Sequence, residues 1–186
     1  MKSLLIILIL LSFYSNAQTK VVEDHVFYKV SAIAKTDLLK NLNNATPIRE
    51  GGEVFHGHTK YDINWRFWWS SKHNQCKLTK VETTLKLKYT MPQLVTSNPD
   101  VKHVWSKWYP NLEKHEKGHG QLAKDSVYEI DKKLMSIGPK TSCNQLEKAA
   151  NALGYKLMAK LNRANKSYDK KTNHGESQQA WLYMYL

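Results

Sequence analysis

His115-Glu116-Lys117-Gly118-His119 is the stretch of this 186-residue chain that decides its fold. It lies inside a long segment whose apolar residues recur with helical spacing. On a helix, positions four apart lie one turn above each other on the same face, so the two imidazoles can bind one metal ion. Glu116 points at the same region and can take a proton from a water held at that metal. The motif therefore predicts a metal-binding helix with a general base beside it.

The segments on either side of this helix have different periods. Apolar and polar residues alternate over 61–69 and 81–89, which predicts two strands joined by a hairpin loop at 70–75. A further strand is predicted at 25–33, and the sheet is expected to end at Pro92. From residue 99 the spacing is helical, with a break or kink at Pro110, a second helix to about 137 and a third that begins after Thr141 or Ser142. The predicted fold is α+β, a small antiparallel β-sheet followed by a zincin-like helical hairpin that carries H-E-x-x-H.

The first 17 residues have the pattern of a signal peptide. Lys2 precedes an apolar run over 4–13, and Ser15-Asn16-Ala17 forms a small-x-small cleavage site. The run is shorter than the roughly 18 residues that a membrane span requires, so no span is expected. The mature chain, 18–186, is predicted to be a single exported domain, either periplasmic or secreted.

The predicted export bears on the state of the two cysteines, Cys76 and Cys143. An even number of cysteines in an oxidising compartment predicts a disulfide bond, and the alternative is a pair of buried free thiols. The bond would close a loop that stabilises the fold by about 4 kcal/mol on the chain-entropy model.

The chain is strongly basic, with 28 Lys and Arg against 16 Asp and Glu. Loss of Lys2 leaves +11 of the formal charge of +12. The lysines are scattered rather than grouped in runs, which favours a solvated basic surface over a specific nucleic-acid site.

A catalytic zinc site needs a third protein ligand besides His115 and His119. Asp125 is a poor candidate, because a continuing helix places it about 9 Å beyond His119. His174 is a better one, since it lies in a predicted loop, 168–175, that can fold back over the motif after the third helix. Gly118 lies inside the helix at a cost of about 0.8–1 kcal/mol relative to Ala, and we expect it to leave room for a substrate.

The motifs together are similar to those of a known family. H-E-x-x-H paired with Tyr168-Asp169-x-x-Thr172-x-His174-Gly175 resembles the bacterial domain-of-unknown-function family 922, whose members are exported and predicted to be zinc-dependent proteases. The resemblance implies Zn²⁺ as cofactor and His174 as third ligand. Tyr168 can donate a hydrogen bond to a developing oxyanion or simply pack at a helix end. Asp169 can orient a ligand histidine or have no such role.

Two functions follow from these residues. The first is an exported zinc-dependent hydrolase, a metallopeptidase acting on a peptide or protein, in which Glu116 is the general base. The alternative is an exported, non-catalytic protein that binds an envelope polymer and keeps a structural or vestigial zinc site. An intact Glu116 favours the enzyme, because a structural site has no need of that carboxylate.

Overall fold

A computed structural model describes residues 16–186, so most of the predicted signal peptide lies outside the described residues. The elements follow one another in this order: β1 (Asn16–Ser31), α1 (Lys35–Ala45), β2 (Arg49–Glu50), β3 (Glu53–Val54), β4 (His58–Lys72), β5 (Gln75–Val95), α2 (Pro99–Met135) and α3 (Cys143–Thr172). Two short 3₁₀ turns, Glu176–Gln178 and Leu182–Tyr185, end the chain. The predicted α+β class is confirmed.

The main sheet has three strands in the order β1-β5-β4. β4 and β5 form the predicted antiparallel hairpin, whose turn is His73-Asn74 with both residues at positive φ. β1 instead pairs with β5 in parallel, so the sheet is mixed rather than purely antiparallel. The sheet was expected to end at Pro92, but β5 continues to Val95.

The two long helices pack on one face of this sheet. α2 is continuous through Pro110, so the predicted break is wrong. A proline inside a helix costs about 3 kcal/mol. Burial of Trp108 and Leu112 on either side of it holds the helix in place and offsets that cost. The core lies between the sheet and the helices and includes Leu85, Leu87, Val127, Ile130 and Leu146.

The predicted disulfide bond, Cys76–Cys143, is present and closes a loop with a sequence separation of 67. It joins the start of β5 to the start of α3, where Cys76 also forms an isolated bridge with Lys140. Ser142 caps α3 as expected, because its side chain accepts a hydrogen bond from the Gln145 amide. Within the part of the chain that the structure describes, no helix has the length and apolar character of a membrane span.

Reduction of this bond is expected to lower the free energy of unfolding by about 4 kcal/mol. Metal binding should survive, because Cys143 lies about 39 Å along α3 from Asp169 at a rise of about 1.5 Å per residue. Thermal unfolding with and without reductant, together with metal content, measures both effects. Two titratable thiols in the untreated protein would contradict the expectation.

Candidate metal centre and active site

The candidate site lies where α3 returns alongside α2. His115 and His119 lie one turn apart on α2, on the side that faces α3. Asn165 and Asp169 are likewise one turn apart near the end of α3. Two pairs with helical spacing therefore face each other across the hairpin.

Three of these side chains converge on one point. Asp169 Oδ1 lies 2.9 Å from His119 Nε2 and 3.6 Å from His115 Nε2. The three ligand atoms all lie within 4.8 Å of one another. Ligand atoms at about 2.0–2.2 Å from a tetrahedral Zn²⁺ are roughly 3.3–3.6 Å apart, so the group has the dimensions of a metal site.

The other nitrogen of each imidazole is fixed by a side-chain amide. His115 Nδ1 lies 2.8 Å from Gln178 Oε1, and His119 Nδ1 lies 2.7 Å from Asn165 Oδ1. An amide oxygen only accepts, so each Nδ1 carries the proton and donates. Both Nε2 atoms are thereby directed at Asp169, which is the orientation that metal ligands require.

Without a metal, Asp169 and His119 stabilise each other's charged forms. Burial opposes ionisation of Asp169, but hydrogen bonds from His115 and His119 outweigh it and hold the pKa of the carboxyl well below its usual range. Burial also opposes the charged form of His119, yet Asp169 and Asn165 raise its pKa above the ordinary value. A metal ion at this point would replace the proton that these groups share.

Glu116 lies beside the group of three but is not part of it. Its side chain is buried, and Thr59 Oγ1 lies 2.7 Å from Glu116 Oε2. A Cβ at Gly57 would lie 2.7 Å from Glu116 Oε1, so only glycine leaves room for the carboxylate there. Burial raises the pKa of Glu116, and the hydrogen bond from Thr59 and the nearby histidines offset part of that shift. A carboxyl with a raised pKa is suited to accept and return a proton near neutral pH.

A cavity of about 220 Å³ opens onto these residues. Its polar lining includes His115, Glu116, His119 and Asp169. Its apolar and aromatic lining includes Ile48, Phe55, Leu112, Ala180 and Trp181. The rings of Phe55 and Trp181 lie 6.4 Å apart, centre to centre.

His174 lines the same cavity but lies outside the group of three, with its ring 5.6 Å from that of Phe55. The arrangement thus differs from the ligand set that the family resemblance implies. The reason is the length of α3, which continues to Thr172. The segment predicted as a loop therefore begins as a helical turn, and that turn presents Asp169 rather than His174 to His119.

Tyr168 stacks on His115, with ring centres 5.1 Å apart and planes at 13°. Its hydroxyl lies 3.1 Å from Gln178 Oε1 and 3.3 Å from the main-chain oxygen of His115. The hydroxyl packs against Gly118. We expected this glycine to leave room for a substrate, but the space it leaves is filled by Tyr168. Gly120 makes room for Tyr89 in the same way.

The sequence alone predicts no role for four residues of the site: Gly57, Thr59, Asn165 and Gln178. The contact between Thr59 and Glu116 spans 57 positions in the chain, and no local pattern predicts it. The role of Asn165 could have been predicted from its spacing. It lies four residues before Asp169, so the two share a helix face once α3 is known to continue. His56 also lines the cavity; it is buried with Nε2 2.7 Å from Asn43 Oδ1, and burial lowers its pKa to about 4.

Comparison with known proteins identifies the family of this chain. The family model described as bacterial protein of unknown function (DUF922) matches residues 25–175, which include the whole of α2 and α3. No curated protein and no solved structure matches the chain. Because the match covers most of the chain and contains the residues that converge at the site, this protein belongs to the DUF922 family of bacterial proteins.

Proposed function

We propose that this protein is a zinc-dependent hydrolase, specifically a metallopeptidase. The observation that carries the proposal is the placement of Glu116, which is buried beside the group of His115, His119 and Asp169 without belonging to it. A site that only bound a structural metal would gain nothing from a second buried carboxyl next to its ligands.

Zinc fits this donor set. Two imidazole nitrogens and one carboxylate oxygen are ligands of catalytic zinc sites, which hold the metal with three protein side chains and leave a fourth position open. Calcium and magnesium favour all-oxygen sets, which this group does not provide. Bound Zn²⁺ supplies Lewis-acid chemistry, since it polarises a carbonyl and makes water more acidic.

The chain's own residues supply the proton transfers. Glu116 takes a proton from the attacking water and returns it to the amine that leaves. Thr59 holds one oxygen of the Glu116 carboxylate and leaves Oε1 for the proton. Donation from Tyr168 to a developing oxyanion stays a prediction, and it would require the hydroxyl to leave Gln178 and the main chain of His115.

The shape of the cavity favours a peptide with a large apolar side chain. Phe55 and Trp181 both line the cavity and are half-buried, so each has apolar surface left to cover. Full burial of a Leu or Phe side chain contributes about 1.5–3 kcal/mol. These two aromatic side chains therefore favour peptides that place such a side chain beside the bond to be cut.

Export completes the proposal. We propose that residues 1–17 are a signal peptide and that 18–186 act in the periplasm or outside the cell. The disulfide bond between Cys76 and Cys143 supports this location, because such bonds persist in oxidising compartments.

The test is a screen of the purified mature protein against a broad peptide library. We expect about one equivalent of zinc per chain, cleavage that stops on chelation and returns with zinc, and enrichment of large apolar side chains at the cut site. Absence of bound zinc, or cleavage that is indifferent to chelation, would contradict the proposal.

A further inference from the structure

The C-terminal segment, residues 173–186, completes the site. Gln178 in this segment accepts hydrogen bonds at one oxygen from His115 Nδ1 at 2.8 Å and from the Tyr168 hydroxyl at 3.1 Å. Gly175 lies against the same ring, because a Cβ there would be 3.0 Å from His115 Cγ. The segment thus fixes both the tautomer and the plane of the first histidine of the motif.

This segment is held firmly on α2. Trp108, which is fully buried, donates its indole N–H to the main-chain oxygen of Ala180 at 2.8 Å. Leu182 is also fully buried and belongs to the core. The position of Gln178 is therefore tied to the packing of the chain end rather than to a free loop.

The backbone around Gln178 is unusual. His174 and Gln179 have φ of 49° and 61°, the left-handed region that residues other than glycine and asparagine rarely adopt. Such conformations cost of order 1–3 kcal/mol each and persist where the surrounding contacts over-determine them. Here the contacts they allow are those of Gln178 and Gly175 with His115.

From these contacts we infer that Gln178 is a positioning residue for the metal centre, and that docking of the C-terminal segment and binding of the metal are coupled through His115. The inference rests on the proposed metal site, and Gln178 lies outside the residues 25–175 that the family model matches. The neutral amide holds the proton on Nδ1 and leaves the lone pair of Nε2 for the metal.

The test measures zinc affinity by competition with a chelator in three variants of the full mature chain. Gln178→Leu keeps the size of the side chain and removes the acceptor, and it should lower zinc affinity by about 10–100-fold. Gln178→Glu keeps the acceptor and should restore most of that affinity. Ser177→Ala, an exposed neighbour in the same 3₁₀ turn, is the control and should bind zinc like wild type.

Two further readouts separate positioning from general damage to the fold. Tyr168→Phe removes the other hydrogen bond to Gln178 and should leave zinc affinity within a few-fold of wild type. Amide hydrogen exchange over 174–184 should slow when zinc is added to wild type, and much less in Gln178→Leu. Wild-type affinity in Gln178→Leu, or no rescue by Gln178→Glu, would overturn the role of Gln178, whereas a wild-type protein without zinc affinity would overturn the metal site itself.

Discussion

Glu116→Gln is expected to lower peptide hydrolysis by about 10²–10⁴-fold, the usual contribution of general acid–base catalysis. Glutamine keeps the shape of the side chain and can still accept the hydrogen bond from Thr59, but it cannot take a proton from water. Zinc content should stay at the wild-type value, because Glu116 is not one of the three converging groups. The measurements are kcat/KM on a peptide from the library screen and metal content of the same preparation.

Glu113→Gln is the matched control for this experiment. Glu113 lies on the same helix, one turn before Lys117, with which it forms an ion pair at 2.9 Å. It is far more exposed than Glu116, so its loss should change neither activity nor metal content. Equal cleavage by wild type and Glu116→Gln would show that the activity arises elsewhere. A wild-type protein that binds zinc and an anionic polymer but cleaves nothing would instead favour the envelope-polymer-binding function.

The sequence was sufficient for the elements whose signals are local. The H-E-x-x-H motif predicted the helix and its paired histidines, and alternation of apolar and polar residues predicted the hairpin of β4 and β5. The register between these strands shifts between Trp68 and Trp69, where two large apolar residues follow one another. The disulfide bond was predicted from the expected export and from the even number of cysteines. That prediction needed no knowledge of the fold.

The errors came from helix ends and from tertiary contacts. Pro110 was expected to interrupt α2, and the buried residues on both sides of it outweigh its local cost. The end of α3 was placed too early, although Lys170 and Lys171 favour a last helical turn and Asn173 is a suitable left-handed cap. Two more residues of helix, 168 and 169, would have brought Asp169 to the face that already carries Asn165. Thr59 and Gln178 had no such signal, because their partners are distant in the chain.

If Asp169 rather than His174 is the third ligand, zinc affinity depends on Asp169 and not on His174. Asp169→Ala is expected to lower zinc affinity by more than the roughly 10–100-fold that loss of an outer-shell partner costs. His174→Ala should leave affinity near the wild-type value, because its ring packs on Phe55 outside the group of three. Competition with a chelator measures both affinities under the same conditions.

A second measurement on the metal-free protein tests the geometry independently of zinc. Asp169 raises the pKa of His119 through the contact at 2.9 Å, so Asp169→Asn should lower that pKa in a histidine titration followed by NMR. Asp125→Asn is the control, because Asp125 pairs with Gln121 on the exposed face of α2 and should leave the pKa of His119 unchanged. If His174→Ala abolishes zinc binding while Asp169→Ala does not, the ligand set implied by the family resemblance is the correct one. The segment after Thr172 must then turn towards α2 when the metal binds, and Asp169 becomes the group that orients His119.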